Sequence, residues 1–289
     1  MHYGTNDDIR KTLFVSDLDG TLLSDNARVS SITARIISEL SHEGALISVA
    51  TARTPATVDP LLAHTFTTIP AIVITGAAMW NRRYRHYENV RTIAPEAATT
   101  AITACRNAGL KPFIYTLGVE NVLHVYHNGG LSNKEEKFVY DRRGLPLKKF
   151  HLDEPAGEKD SFESTLLVLV MGDVDTIFNL AETLGMDNRL SISAYQDSYN
   201  RTTGIIEILG ENVSKASAVT HLKEMTGAER LTVFGDNLND LPMMAIADTS
   251  VATANAVEQV KEAADIVIGS NNDDSVARYI LESLSKTGF

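Results

Sequence analysis

Two aspartates, Asp17 and Asp19, stand two residues apart where the apolar run "LFVS" meets "DLDGTLL". Asp236 and Asp240, with Asn239 beside them, follow a second such run in "LTVFGDNLND". Thr51, Ala52 and Arg53 follow a third, "ALISVAT", and Lys215 lies just inside a helical pattern in "VSKAS". Like charges at the ends of buried strands cost several kcal/mol unless something neutralises them. Turn chemistry accounts for "DG", and helix capping accounts for Asn239, Asp240 or Thr51 one at a time. Capping does not account for Asp17, a carboxylate at the very end of a buried strand. One arrangement serves all of these residues. Asp17 and Asp236 share a divalent cation, Mg²⁺ by its preference for hard oxygen ligands, with the backbone carbonyl of Asp19 completing the protein's part. The Thr51 hydroxyl, backbone N–H groups after Asp17 and the Lys215 ammonium then hold the oxygens of a phosphoryl group.

The elements that must position these groups alternate strand and helix. "TLFVS", "ALISVAT" and "AIVIT" read as strands, separated by helical patterns in "SSITARIISELSHEG" and "TPATVDPLLAHT". The C-terminal part repeats the order: helix "SKASAVTHLKEMTG", strand "LTVFGD", strand "TSVAT", helix "AVEQVKEAA", strand "DIVIG" and helix "DSVARYILESLSK". Short apolar runs without strict alternation suit strands covered on both faces, so the fold class is α/β with a doubly wound, Rossmann-like parallel sheet. Ligands of such sheets gather at the carboxyl ends of the strands, where these candidates fall. Between the halves the character changes to aromatic, alternating segments such as "KPFIYTL" and "NVLHVYHNGG". The predicted organisation is a core domain of residues 1–81 and 204–289 with an α+β module, residues 82–203, inserted into it.

Composition narrows the partners. The 289 residues carry 26 Lys+Arg against 37 Asp+Glu, a net charge of −11. That balance disfavours nucleic acid and anionic membranes, and makes any anion site depend on local positive charge. Cys105 is the only cysteine, so no disulfide framework forms within the chain. The polar start and the lack of any run near ~18 apolar residues predict no secretory signal and no membrane span, hence a cytoplasmic protein. The sequons at Asn200 and Asn212 are then chance matches. His124 and His127, three apart in a strand pattern, face opposite sides and make no metal site. "SNKEEK" reads as a solvated charge run. Tyr84, Tyr87, Tyr115, Tyr126, Tyr195 and Tyr199 read as packing residues, with room for one or two to line a sugar pocket. No P-loop, GxGxxG or zinc pattern is present.

"DLDGTLL" closely resembles the first motif of the haloacid dehalogenase-like hydrolases, and Thr51, Lys215 and "GDNLND" match their second, third and fourth in order. The tail from "GDNLNDLPMMAIADTSVATANA" onward is similar to the Cof-type branch, whose members are mostly sugar-phosphate or related phosphatases with a large α/β cap. The resemblance makes residues 1–81 and 204–289 the catalytic core and residues 82–203 a substrate-specificity cap domain. It implies that Asp17 is a nucleophile forming an aspartyl-phosphate, and that Asp19 protonates the leaving oxygen and then deprotonates water. It further implies that Asp236 binds Mg²⁺, Asn239 contacts the phosphate or metal-bound waters, Arg53 and Asp240 support the site, and Thr51 and Lys215 stabilise transferring charge. The chain departs from the family pattern at Thr51-Ala52-Arg53, Thr75-Gly76 and Lys215-Ala216, where Thr-Gly-Arg, Asn-Gly and Lys-Gly are usual. The expected activity is Mg²⁺-dependent hydrolysis of small phosphorylated metabolites. A phosphomutase would use the same aspartate but with a small helical cap elsewhere. A phospho-aspartate switch would need neither Asp19 nor an inserted domain. The sequence does not fix the oligomeric state.

Overall fold

The computed structural model describes residues 9–154, 162–197 and 201–286. Tyr199, Asn200 and the polar start up to residue 8 lie outside the described residues. The chain divides into two compact units, one holding the residues up to Glu88 and from Ser214 onward, the other Asn89–Val213.

The first unit is built on a five-stranded parallel sheet in the order β14-β13-β12-β1-β2. Its strands are β1 (Thr12–Ser16), β2 (Leu46–Val49), β12 (Arg230–Gly235), β13 (Thr249–Ala252) and β14 (Ile266–Val267). β1 is buried along its whole length because alternate residues meet different layers. Leu13 and Val15 join a core with Val219 and Leu222 of a helix at Lys215–Thr226, while Phe14 faces Ile37 of a helix at Ser31–Glu43 and Val276 and Ile280 of one at Ser275–Lys286. From β1 the chain moves outward to β2 on one side. On its return it enters beside β1 at β12 and moves outward the other way to β13 and β14. The strand order therefore reverses between β1 and β12, which is where an open α/β sheet leaves a crevice at its carboxyl edge.

The run "AIVIT" forms the expected third strand, but a short one. β3 (Ala71–Val73) touches the parallel sheet through the single bridge Ala50–Ile72, then turns back as β4 (Ala78–Asn81) and β5 (His86–Glu88) in a small antiparallel sheet. That pairing carries the unit's edge to Glu88, beyond the expected 81/82 boundary. The second edge also moves, from 203/204 to 213/214. β11 (Thr203–Gly210) pairs with β9 (Thr165–Asp173) and β10 (Leu190–Gln196), both in the inserted unit, and so belongs with them.

The inserted unit is a six-stranded sheet in the order β10-β11-β9-β6-β7-β8, with β6 (Phe113–Leu117), β7 (Leu123–His127) and β8 (Lys148–Leu152). All neighbours are antiparallel except β7 and β8. Helices at Pro95–Asn107 and Val174–Leu184 cover one face, packing Ala98, Ile102, Ile177 and Leu180 on Ile114, Val168 and Ile206. "SNKEEK" is not a wholly solvated run. It opens a helix at Asn133–Tyr140, and buried Glu135 closes a capping box with Ser132. Among the described residues no helix is long and apolar enough to cross a membrane.

Candidate active site

Asp17 is the first residue past β1, and its N–H still donates to the Phe234 carbonyl at 3.0 Å, extending the ladder with β12. The register Ser16↔Phe234 brings the loops after the two strands side by side. The distant motifs meet there. One carboxylate oxygen from each of Asp17, Asp236 and Asp240 lies within 4.8 Å of the others. Thr21 ties the loops together, its hydroxyl donating to Asp236 Oδ1 at 2.9 Å.

Lys215 joins this cluster from a helix. It occupies the first turn of its helix, capped by Ser214, where a cation is disfavoured by the helix dipole. The compensation is ionic: Nζ donates to Asp17 Oδ1 at 2.5 Å and to Asp240 Oδ1 at 2.8 Å, with all three side chains buried. Gly76 permits this approach. Its φ of +96° is left-handed, and a Cβ there would stand 2.2 Å from the Ser214 carbonyl oxygen. Thr75 beside it also takes a left-handed φ of 52°, and its N–H donates to the Thr51 carbonyl at 3.0 Å.

Asp240 spends its second oxygen on the N–H groups of Asp236 and Asn237, at 3.1 and 3.3 Å. It is therefore a fully engaged organiser of the loop. Among the described residues Asp17 has one ammonium partner and Asp236 one hydroxyl partner, leaving an oxygen of each unbonded. Two buried acids and half-buried Asp236 around one ammonium leave negative charge in excess. Burial, opposed by Lys215 and reinforced by Asp240, pushes the Asp17 carboxyl well above the carboxylate range. Burial likewise raises Asp236 to about 6 against the pull of its Thr21 hydrogen bond. For Lys215 burial acts downward, but Asp17 and Asp240 outweigh it and the net shift is upward. Gly20, at φ +81°, lies so close that a Cβ would stand 2.3 Å from Asp236 Oδ2. Two under-neutralised hard oxygen ligands in such a cradle fit a divalent cation.

The remaining sequence candidates lie as follows. Asp19 is exposed, its carboxylate held by Arg53 through Nε–Oδ2 at 2.7 Å and Nη2–Oδ1 at 2.5 Å. Thr51 is buried, and its hydroxyl accepts from the Arg53 N–H at 3.1 Å, with Ala52 in the bend between them. Asn239 is exposed, in the turn Leu238–Asp240. Sequence reading missed the loop's second brace. The side chain of Asn255 donates to the Gly20 carbonyl at 2.8 Å, and the Asn271 N–H donates to Asn255 Oδ1 at 2.9 Å. Its signal was available in "ATANA", polar residues just past the strand at Thr249–Ala252 on the same sheet edge.

A model of the haloacid dehalogenase-like hydrolase family matches residues 14–280, and the chain belongs to that family, among its phosphatases. It is 27% identical over 287 residues to the 5-amino-6-(5-phospho-D-ribitylamino)uracil phosphatase YwtE of Bacillus subtilis, covering 93% of this chain and 96% of that one. It is 24% identical over 283 residues to the pyridoxal phosphate phosphatase YbhA of Escherichia coli, covering 93% and 97%. A crystal structure of a Thermotoga maritima protein superposes with a TM-score of 0.71 at 26% identity, over 93% of this chain and 96% of that chain.

Proposed function

We propose that the protein hydrolyses phosphate monoesters of small metabolites, sugar phosphates among them, in the cytoplasm, with Mg²⁺ and through an aspartyl-phosphate on Asp17. One observation carries the reading: a buried carboxylate at the sheet's switch point, hydrogen-bonded to Lys215 and within 4.8 Å of Asp236.

Asp17 attacks phosphorus with a carboxylate oxygen, and the bond from phosphorus to the ester oxygen breaks. Asp19 gives its proton to that leaving oxygen. It then takes a proton from the water that attacks the aspartyl-phosphate, releasing inorganic phosphate and restoring Asp17. For the first step Asp19 must leave Arg53, which engages both of its carboxylate oxygens. Lys215 stabilises charge on Asp17 and on the transferring oxygens, while the Thr51 hydroxyl, the N–H of Ala52 and Asn239 orient them. Mg²⁺, held by Asp17, Asp236 and the Asp19 carbonyl, would neutralise the excess negative charge and make room for an anion. The inserted unit chooses the substrate.

The test is hydrolysis of p-nitrophenyl phosphate. Turnover is expected with Mg²⁺ and not in EDTA. Asp17→Asn should lower it by at least about a thousandfold with an unchanged circular dichroism spectrum. Activity within a few-fold of wild type in that variant would overturn the assignment.

A further inference from the structure

β7 and β8 run parallel at one edge of the inserted sheet, with His124 paired to Lys149 and Tyr126 to His151. Strand alternation therefore turns His124, Tyr126 and His151 to one face. The two imidazoles meet there, His124 Nδ1 standing 2.8 Å from His151 Nε2. Their outer nitrogens face carboxylates: His124 Nε2 lies 2.7 Å from Glu120 Oε1, and His151 Nδ1 lies 2.9 Å from Glu154 Oε2. Gly118 makes room for the first of these contacts, since a Cβ there would stand 2.7 Å from Glu120 Oε2 and 2.8 Å from His124 Nε2. The Tyr126 ring flanks His151, with centroids 4.6 Å apart and planes 17° from parallel. Its own N–H, then His124, holds the Glu120 carboxyl below its usual range, with exposed Lys149 acting the same way.

Three short contacts in series each need one proton or one cation. Two neutral imidazoles bring two protons, and ionised carboxylates bring none. Once both N–H groups are given to Glu120 and Glu154, the inner nitrogens face each other with lone pairs alone. That contact is repulsive unless a positive charge stands between them. The ring centroids are 5.0 Å apart with planes 18° from parallel. The centres thus exceed the nitrogen separation by the full radii of both rings, so the two lone pairs lie in the ring planes and point at each other.

We propose that His124 and His151 are the protein ligands of a transition-metal site at this sheet edge, which takes Zn²⁺ through His124 Nδ1 and His151 Nε2 and leaves water to complete the coordination. Metal-ligating histidines give their other N–H to a carboxylate, which fixes the tautomer and strengthens the ligand. Glu120 and Glu154 already stand in those positions. Imidazole nitrogen suits a borderline ion such as Zn²⁺, whereas Mg²⁺ keeps to oxygen. Two Zn–N bonds of about 2.0–2.1 Å at a tetrahedral angle need nitrogens about 3.3–3.4 Å apart, so the rings have to open by only about 0.5 Å. Water and ions reach them, because the His124 and His151 side chains are 19% and 22% exposed. The bound ion bridges β7 to β8 and pins the edge strand of the sheet. The sequence pairs His124 with His127 at best; its partner is His151, supplied by the parallel pairing of β7 with β8. The site shares neither ligands nor unit with the acidic cluster of Asp17, Asp236 and Asp240.

Two measurements decide it. ZnCl₂ is titrated calorimetrically into the full chain at pH 7.5, in excess MgCl₂, with wild type, His124→Gln, His151→Gln and Glu120→Gln compared. One binding step should be present in wild type, vanish in both histidine variants and weaken about tenfold or more in Glu120→Gln. Any step at another site, the acidic cluster included, should be the same in all four proteins. In wild-type crystals grown with ZnCl₂, anomalous scattering at the zinc edge should place an ion between His124 Nδ1 and His151 Nε2, a result that depends on no variant folding. Isotherms unchanged by either histidine substitution, or no anomalous peak between the two rings, overturn the proposal, and a shared proton then fills the contact. An unchanged affinity in Glu120→Gln overturns it too, because an ion that ignores the flanking carboxylate is adventitious.

Discussion

Two buried lysines, one in each unit, are handled in opposite ways. Lys215 and Lys148 are 3% and 5% exposed. Lys215 sits between two buried carboxylates and is held charged, whereas Lys148 faces two aromatic rings and a guanidinium and is pulled towards neutrality. Burial depth alone therefore does not set what a lysine does; the charges around it do. The first unit surrounds Asp17 with an ammonium and two further carboxylates, the frame that the proposed reaction would use. The inserted unit holds a buried lysine against aromatic rings, with no carboxylate partner among the described residues.

Removing each lysine tests the contrast most severely. Lys215→Met strands Asp17 and Asp240 as buried charges and should cost about 3–5 kcal/mol of stability in urea titrations, while Lys148→Met stabilises. Equal effects would erase the distinction. A smaller effect is expected from Asp240→Asn, which keeps one acceptor but loses the charge facing Lys215: about 1–3 kcal/mol, with Mg²⁺-dependent turnover falling alongside. Next comes pH. The native Lys148 value lies below the unfolded one, so between about 7 and 10.5 the unfolded chain holds a proton that the native chain has shed. Stability from this group accordingly rises with pH across that window, by up to about 1.4 kcal/mol per unit, and is absent at or below pH 7. The advantage of Lys148→Met over wild type should therefore shrink with that slope as pH rises through the window, and the two stability curves should converge. The smallest effect concerns Cys105, fully buried, with its thiol pushed up to about 12 by burial. It should ignore a disulfide reagent at pH 8 until urea unfolds the chain, and its contribution to stability should decline above about pH 9, where only the unfolded thiol ionises.

What the sequence disclosed, and what it hid, follows the range of each interaction. Asp17, Asp236 and Lys215 were legible because their positions are local facts: each stands at the end of an apolar run or the start of a helical one, and a doubly wound sheet brings strand ends together. The helices at Ser31–Glu43 and Lys215–Thr226 were legible from periodicity for the same reason. Partnerships were not. Nothing near Asp19 announces that Arg53 grips it, and nothing near Gly20 announces the Asn255–Asn271 brace, since both depend on loops that meet only in the folded chain. The unit edges were misplaced because "HYE" and "TGIIEILG" are generic strands whose allegiance is set by register. Lys148 was overlooked in "KKFHL", where strand alternation sends one of two adjacent lysines inward.

The central claim is that Asp17 carries the phosphoryl group during turnover. Borohydride added while the protein hydrolyses p-nitrophenyl phosphate with Mg²⁺ reduces an acyl phosphate but not a free carboxylate. Peptide mass spectrometry should then find homoserine at position 17, and only when both substrate and Mg²⁺ are present. Continued phosphate release with residue 17 unmodified, or with the modification at another aspartate, would contradict the account.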